Sequence, residues 1–92
     1  MALNIKKIQT KKFLWLDIIN ATQEDLKYIK QEFNLNTEDI NDCLPIMQRQ
    51  KVHRRQGYVF MVIQMPLYNR ETGILEASEI DLFISKKYLI TI

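Results

Sequence analysis

The 92-residue sequence predicts an α+β domain, a mixed and largely antiparallel β-sheet with helices packed on it, in the order β-α-α-β-β-β. Three observations carry this reading. A β-branched and aromatic run, Phe13 to Ile19, precedes two stretches with helix-start signals. A nearly continuous apolar run, Tyr58 to Tyr68, comes after them. A glycine-containing loop then leads into a segment that alternates apolar and polar, the pattern of a hairpin. Strands separated by helices and strands joined by a hairpin belong together in a mixed sheet with the helices on one face.

Taken in order, Phe-Leu-Trp-Leu-Asp-Ile-Ile at 13–19 forms the first strand, and Asn20-Ala21-Thr22 breaks it. Thr22 and Asp25 have the spacing of a capping box with Asp in place of Glu. Leu26, Ile29 and Phe33 at i, i+3 and i+7 define the buried face of a helix ending near Asn34, with Glu24, Lys27, Lys30 and Gln31 on its other faces. Asn36-Thr37 starts a second helix, whose acids Glu38 and Asp39 complement the positive end of the helix dipole. Ile40, Cys43 and Leu44 should face the core, leaving Asn41 and Asp42 outward or flanking, and Pro45 stops the helix near Cys43 or Leu44.

The second half reads as β. Residues 58–68 suit a strand covered on one face and partly covered on the other, with Pro66 marking an edge, a bulge or the strand's end. Asn69 to Gly73 is the hairpin loop. The return strand, Ile74 to Ser85, places Ile80, Leu82 and Ile84 on one side and Glu79 and Asp81 on the other. Lys86-Lys87 turns the chain into a last strand, Tyr88 to Ile92. The expected core is Trp15, Ile18, Leu26, Ile29, Phe33, Ile40, Leu44, Phe60, Val62, Ile80 and Leu82.

Apolar residues at 47% and charged ones at 26% are ordinary for a globular chain, and residues 1–92 are expected to form one domain. The lone Cys43 excludes an internal disulfide and any multi-thiolate zinc site, and fits a reducing compartment. No apolar run approaches the ~20 residues of a membrane helix, and the N-terminus lacks the apolar stretch of a secretory signal, so a soluble intracellular domain is expected. Because the sequence stops within a strand, it also reads as a piece of something longer. The net charge of +2 is unevenly spread. Residues 21–45 carry six carboxylates against two lysines, whereas residues 46–56 carry Arg49, Lys51, Arg54 and Arg55 with no acid.

Enzyme signatures are lacking. With two glycines there is no phosphate-cradling loop, and one histidine cannot build a two-histidine metal site or a triad. His53 among cations reads as a surface residue, and Cys43 as a small core residue. The basic 49–55 stretch beside Tyr58 and Phe60 offers an alternative function, a stand-alone nucleic-acid-binding or protein-interaction module. It has no stacking motif of the RNA-recognition type, and solvated charge is the simpler reading. Glu38, Asp39 and Asp42 form the one place where a hard cation such as Mg²⁺ would find carboxylate oxygens.

Several segments, in order, resemble one family. They are Trp15-Leu16-Asp17, the capped helix, Asn41-Asp42-Cys43-Leu44, Gln48-Arg49-Gln50-Lys51-Val52, Tyr58-Val59-Phe60 and Tyr88-Leu89-Ile90-Thr91-Ile92. Together they are similar to the N-terminal cytoplasmic domain of CorA-like magnesium and divalent-cation transporters. The resemblance implies a regulatory domain that senses intracellular Mg²⁺ and gates a pore carrying Mg²⁺ or Co²⁺, without enzymatic activity and without nucleic-acid partners. It implies a homo-pentamer in the cell inner membrane, with this domain on the cytoplasmic side and the stalk and transmembrane helices in parts not present in this chain. It also implies that Asp42 contributes to a regulatory Mg²⁺ site between neighbouring subunits, with binding weak or absent in this chain alone. Asn41 stands where the family usually has Glu, and Gln50 where it usually has Pro.

Overall fold

The computed structural model describes residues 3–43 and 50–92. Six strands and two helices alternate as β1 (Ile5–Gln9), β2 (Leu14–Ile18), α1 (Gln23–Phe33), α2 (Thr37–Asn41), β3 (Lys51–Arg54), β4 (Val59–Asn69), β5 (Ile74–Ile84) and β6 (Tyr88–Thr91). The predicted β-α-α-β-β-β order runs through this arrangement, with two short strands, β1 and β3, added at its edges. The sheet order is β1-β2-β6-β5-β4-β3. Only β2 and β6 are parallel; every other pair is antiparallel.

The local signals operate as the residue types require. Thr22 caps α1: its side chain accepts from the Asp25 N–H at 3.2 Å, and the Asp25 carboxylate accepts from the Thr22 N–H at 2.9 Å. The same carboxylate accepts from the Asn4 N–H at 2.8 Å and so ties the start of β1 to the helix. Burial pushes the Asp25 carboxyl up, but these hydrogen bonds outweigh it and hold the group below its ordinary range. Asn34 ends α1 in the left-handed conformation at φ 52°, which Asn tolerates better than most residues. Asn36 caps α2, accepting from the Glu38 N–H at 2.8 Å. Beyond the end of β3, β4 pairs only with β5, and Pro66, which cannot donate to a ladder, lies in that stretch. The hairpin closes with Asn69 opposite Ile74, so its loop is the four residues 70–73, with Gly73 at φ +70°.

Both helices lie on one face of the sheet. Leu26 and Ile29 of α1, with Leu35 and Ile40 beyond it, pack on Leu16, Ile18, Phe60, Val62, Phe83 and Ile90. Phe60 and Phe83, opposite one another across β4 and β5, stack with ring centroids 4.8 Å apart. Ile18, Leu26, Ile29, Ile40, Phe60 and Val62 are buried as expected, and Phe33 packs at the margin of the core. Leu44 and the stop at Pro45 lie outside the described residues.

Three core assignments are corrected. Trp15 is 36% exposed and points away from the helices, where its indole N–H donates to Thr91 Oγ1 at 2.9 Å. Its neighbour Leu16 takes the inward position, because successive side chains of a strand alternate faces. On β5, Asp81 and Phe83 point inward while Ile80 and Leu82 sit half-buried on the opposite face. The register is decided by β4: Phe83 stands across from Phe60 and Asp81 across from Val62. Apolar residues on both faces of β5 hid this choice, since period-two alternation does not by itself say which face is inward.

Asp81 is 4% exposed, and among the described residues its Oδ1 has no hydrogen-bond partner. Burial, reinforced by the Glu79 carboxylate, pushes its carboxyl up to about 7. The folded value lies above the ordinary 3.8, so folding favours the protonated form, and stability falls as pH rises from about 4 through 7. Asp81→Asn should therefore raise stability at pH 8 by about 1–3 kcal/mol and flatten that slope, as read from urea unfolding across pH. Phe83→Ala should cost about 3–5 kcal/mol in the same assay.

Candidate metal centre

The side chains with chemical potential gather where α2 meets β3. Alternation on β3 turns Lys51 and His53 toward the helix side, together with Arg55 just beyond the strand, and turns Val52 and Arg54 to the other face. Across from them, Asp39 lies within α2 and Asp42 caps its C-terminus. One ligand atom from each of Asp39, Asp42 and His53 falls within 4.8 Å of the others.

Asp39 is fully buried and densely held. Arg55 donates from Nε to Oδ2 at 3.0 Å and from Nη2 to Oδ1 at 2.8 Å, a bidentate fork. The Tyr58 hydroxyl donates to Oδ2 at 2.7 Å and accepts from the Asn36 N–H at 2.8 Å, joining the cap of α2 to the same carboxylate. His53 Nδ1 stands 3.0 Å from Oδ1 and 3.1 Å from Arg55 Nη2. A neutral His53 protonated on Nε2 accepts from Arg55, whereas an imidazolium donates to Asp39. Burial pushes the Asp39 carboxyl up, yet the hydrogen bonds from Arg55, His53 and Tyr58 outweigh it and hold it below the ordinary range. The same site pushes the Tyr58 hydroxyl up to about 12, through burial first and then through its bond to Asp39. Arg55 is held more firmly protonated by its fork to Asp39.

Asp42 is in a different state. Its side chain is 19% exposed, and among the described residues its partner is Lys51, whose Nζ donates to Oδ2 at 3.1 Å. Beside it, Cys43 is buried and donates to the Asp39 carbonyl at 3.4 Å; burial pushes its thiol up, so it behaves as a core residue.

The donor set separates the trio. Mg²⁺ prefers carboxylate oxygens and retains several waters. Asp39 has little coordination capacity to spare, because Arg55 and Tyr58 occupy three of its four lone-pair sites and His53 faces the fourth, and a ring nitrogen is a poor ligand for a hard cation. Asp42 fits a single-carboxylate contribution, because among the described residues Lys51 is what must move to free it. The three residues together do not fit a complete Mg²⁺ cage.

Asp42, the one site residue singled out from the sequence, therefore lies in the cluster and is half-buried rather than fully outward. Exposed Asn41 carries no partner role among the described residues. His53 is corrected from a surface residue to a member of the Asp39 network, with its side chain 28% exposed. The Asp39–Arg55–Tyr58 clamp was not foreseen. Its signal was the period-two spacing of Lys51, His53 and Arg55 after an acidic helix, legible once 51–54 is taken as a strand. Of the basic stretch, Lys51 and Arg55 are consumed by Asp42 and Asp39, Arg54 is exposed, and Arg49 lies outside the described residues.

A six-stranded mixed sheet with two capped helices on one face, and an acidic helix end packed against a basic edge strand, defines the class of domain. The chain belongs to the CorA-like Mg²⁺ transporter protein family, whose model matches residues 10–92. It is 32% identical over 77 residues to YfjQ of Bacillus subtilis, which bears the name of a metal ion transporter. It is 27% identical over 73 residues to the cobalt/magnesium transport protein CorA of Thermotoga maritima. These matches cover 84% and 78% of this chain but only 23% and 21% of the relatives. The CorA magnesium transporter structure from Methanocaldococcus jannaschii shares the fold, with a TM-score of 0.69 at 16% identity, over 99% of this chain and 32% of that one. The chain thus spans less than a quarter of the curated relatives. Among the described residues, no helix is long and apolar enough to cross a membrane.

Asp39→Ala should cost about 1–3 kcal/mol of stability, because it leaves the buried Tyr58 hydroxyl without its acceptor and removes the fork that holds Arg55. Tyr58→Phe should cost about 1–2 kcal/mol. The folded Asp39 value is depressed, so its contribution is present above the unfolded carboxylate value near 4. It is lost as pH falls below that, and thermal unfolding between pH 7 and 2 should show the acid loss in wild type but not in Asp39→Asn.

Proposed function

We propose that this chain is the cytosol-facing regulatory domain of a CorA-like divalent-cation transporter, and that Asp42 is its contribution to a Mg²⁺-sensing site shared between neighbouring subunits of a homo-pentamer. In this reading the pore, selective for Mg²⁺ or Co²⁺, lies in membrane-spanning parts outside these 92 residues, in the cell inner membrane. The domain itself performs no catalysis. The observation that carries the reading is the state of Asp42, a half-buried carboxylate whose partner among the described residues is Lys51, at the end of a helix fixed by the Asp39 clamp. The family match over residues 10–92 supports it.

A lysine is a replaceable counter-ion. Its ammonium is a flexible point charge, whereas the Arg55 fork on Asp39 is rigid and bidentate. A divalent ion reaching Asp42 displaces Lys51 and keeps most of its waters. A second carboxylate from a neighbouring subunit then completes the site, and the ion turns carboxylate repulsion into a bridge. Such an ion biases a closed arrangement only by its differential affinity for the two states. The alternative module, built on the basic 49–55 stretch, is less well supported, because two of its cations are already engaged with acids of α2.

Mg²⁺ calorimetry tests the assignment. Weak binding is expected for the 92-residue chain, abolished in Asp42→Ala and strengthened roughly three- to tenfold in Lys51→Ala, where the competing cation is gone. Mg²⁺ binding unaffected by Asp42→Ala would contradict it.

A further inference from the structure

The donor set that fails to complete a Mg²⁺ cage suits a different kind of ion. A ligand oxygen of Asp42 and a ring nitrogen of His53 lie within 4.8 Å of one another. Two ligands held at about 2.1 Å from one ion stand at most about 4.2 Å apart, so an ion between them needs a closure of no more than about 0.6 Å. One oxygen donor and one nitrogen donor are thus at coordinating range, and the nitrogen is the member that Mg²⁺ does not use.

His53 is presented for such a role. Its place on β3 sets it across from Phe60 of β4, with the two rings 6.1 Å apart. Its Nδ1 faces Asp39 Oδ1 at 3.0 Å and Arg55 Nη2 at 3.1 Å, which fixes the plane of the imidazole. The side chain keeps 28% of its surface exposed, and among the described residues Nε2 has no hydrogen-bond partner. A metal-bound imidazole commonly donates its other N–H to a carboxylate, which settles both tautomer and orientation. The Asp39 contact supplies that carboxylate. With the hydrogen on Nδ1, the ring donates to Asp39 and leaves the Nε2 lone pair for an ion. Arg55 loses nothing in this tautomer, since its Nη2 already bonds Asp39 Oδ1 at 2.8 Å.

We propose that His53 sets the ion preference of the Asp42 site: its imidazole joins the Asp42 carboxylate in binding a borderline divalent cation such as Co²⁺ or Zn²⁺ more tightly than Mg²⁺. The inference rests on the proposed role of Asp42 and adds the residue that decides between ions. Imidazole suits the later first-row metals, whereas Mg²⁺ keeps its waters in place of a nitrogen ligand. Lys51 has to leave Asp42 for either ion, so its displacement cancels from the comparison. Waters and ligands from outside the chain complete either coordination shell.

His53 is the only histidine in the chain, so its ring signals report the contact without ambiguity. Nitrogen-15 NMR of the untagged 92-residue chain, titrated with Zn²⁺ and separately with Mg²⁺, reads them. Zn²⁺ should shift the Nε2 resonance strongly, and Mg²⁺ at the same concentration should leave it in place. In calorimetry, His53→Gln should lower the ratio of Co²⁺ to Mg²⁺ affinity by about tenfold or more. Asp42→Ala should weaken Co²⁺ binding by at least about tenfold. If circular dichroism shows His53→Gln unfolded, the wild-type ring signals decide alone. Zn²⁺ binding that leaves those signals unmoved, or a ratio unchanged in His53→Gln, would overturn the assignment of His53 and leave Asp42 as a Mg²⁺ ligand. A Zn²⁺-shifted His53 signal unaffected by Asp42→Ala would overturn the proposal by putting the ion at a site without Asp42.

Discussion

The arrangement of this domain depends on one buried charge. Asp39 has no exposed surface, and a carboxylate in that position is tolerable only when donors replace the water it gave up. Arg55 and Tyr58 supply them, from the end of β3 and the start of β4, so the short helix α2 is held to the sheet by an ion pair and a hydroxyl. Five helical residues have little stability of their own. The clamp, the Asn36 cap and the burial of Ile40 and Cys43 give α2 a fixed position. Removing either side of the clamp strands the other, and its importance lies in that asymmetry more than in any net attraction.

Position is what the clamp confers on Asp42. Both aspartates belong to the same helix end, yet they are prepared for different tasks. Asp39 is held by a rigid fork and a hydroxyl, with His53 against its remaining site, and acts as a structural anchor. Asp42 is partly open and balanced by a mobile ammonium. Two carboxylates a turn apart on one element have thus been given different availability by their partners. The sheet shows a parallel division. Its helix-side face carries Leu16, Phe60, Phe83 and Ile90 at full burial, and its other face carries apolar residues that the helices do not reach.

Much of the fold was legible because local chemistry and global placement agree. The Thr22–Asp25 capping box, the Asn34 and Asn36 boundaries, the hairpin after Asn69 and the turn at Lys86-Lys87 each need particular residue types and have them. What escaped had a physical cause. β1, with Lys6, Lys7 and Gln9 among its five residues, and β3, with Lys51, His53 and Arg54 among its four, are polar edge strands whose pairing partners supply the order their own sequences do not. The inward side of β5 was ambiguous because Ile80, Leu82 and Ile84 are as apolar as any core strand, and only the register with β4 selects Asp81 and Phe83. Asp42 was singled out through family resemblance. The Asp39 clamp was not, since it joins residues 14 to 19 positions apart whose proximity depends on β3.

Family membership rests on the match over residues 10–92, and the shared fold with the M. jannaschii structure agrees with it. The central claim is narrower: the Asp39 clamp holds Asp42 in place as the carboxylate that meets a divalent cation. Paramagnetic broadening by Mn²⁺, used in place of Mg²⁺ on the isotope-labelled 92-residue chain, tests it most directly. The account predicts broadening centred on the amides of Asp42 and Lys51, weakened in Asp39→Asn and absent in Asp42→Ala. Broadening centred on other acids, or unchanged in Asp42→Ala, would contradict it.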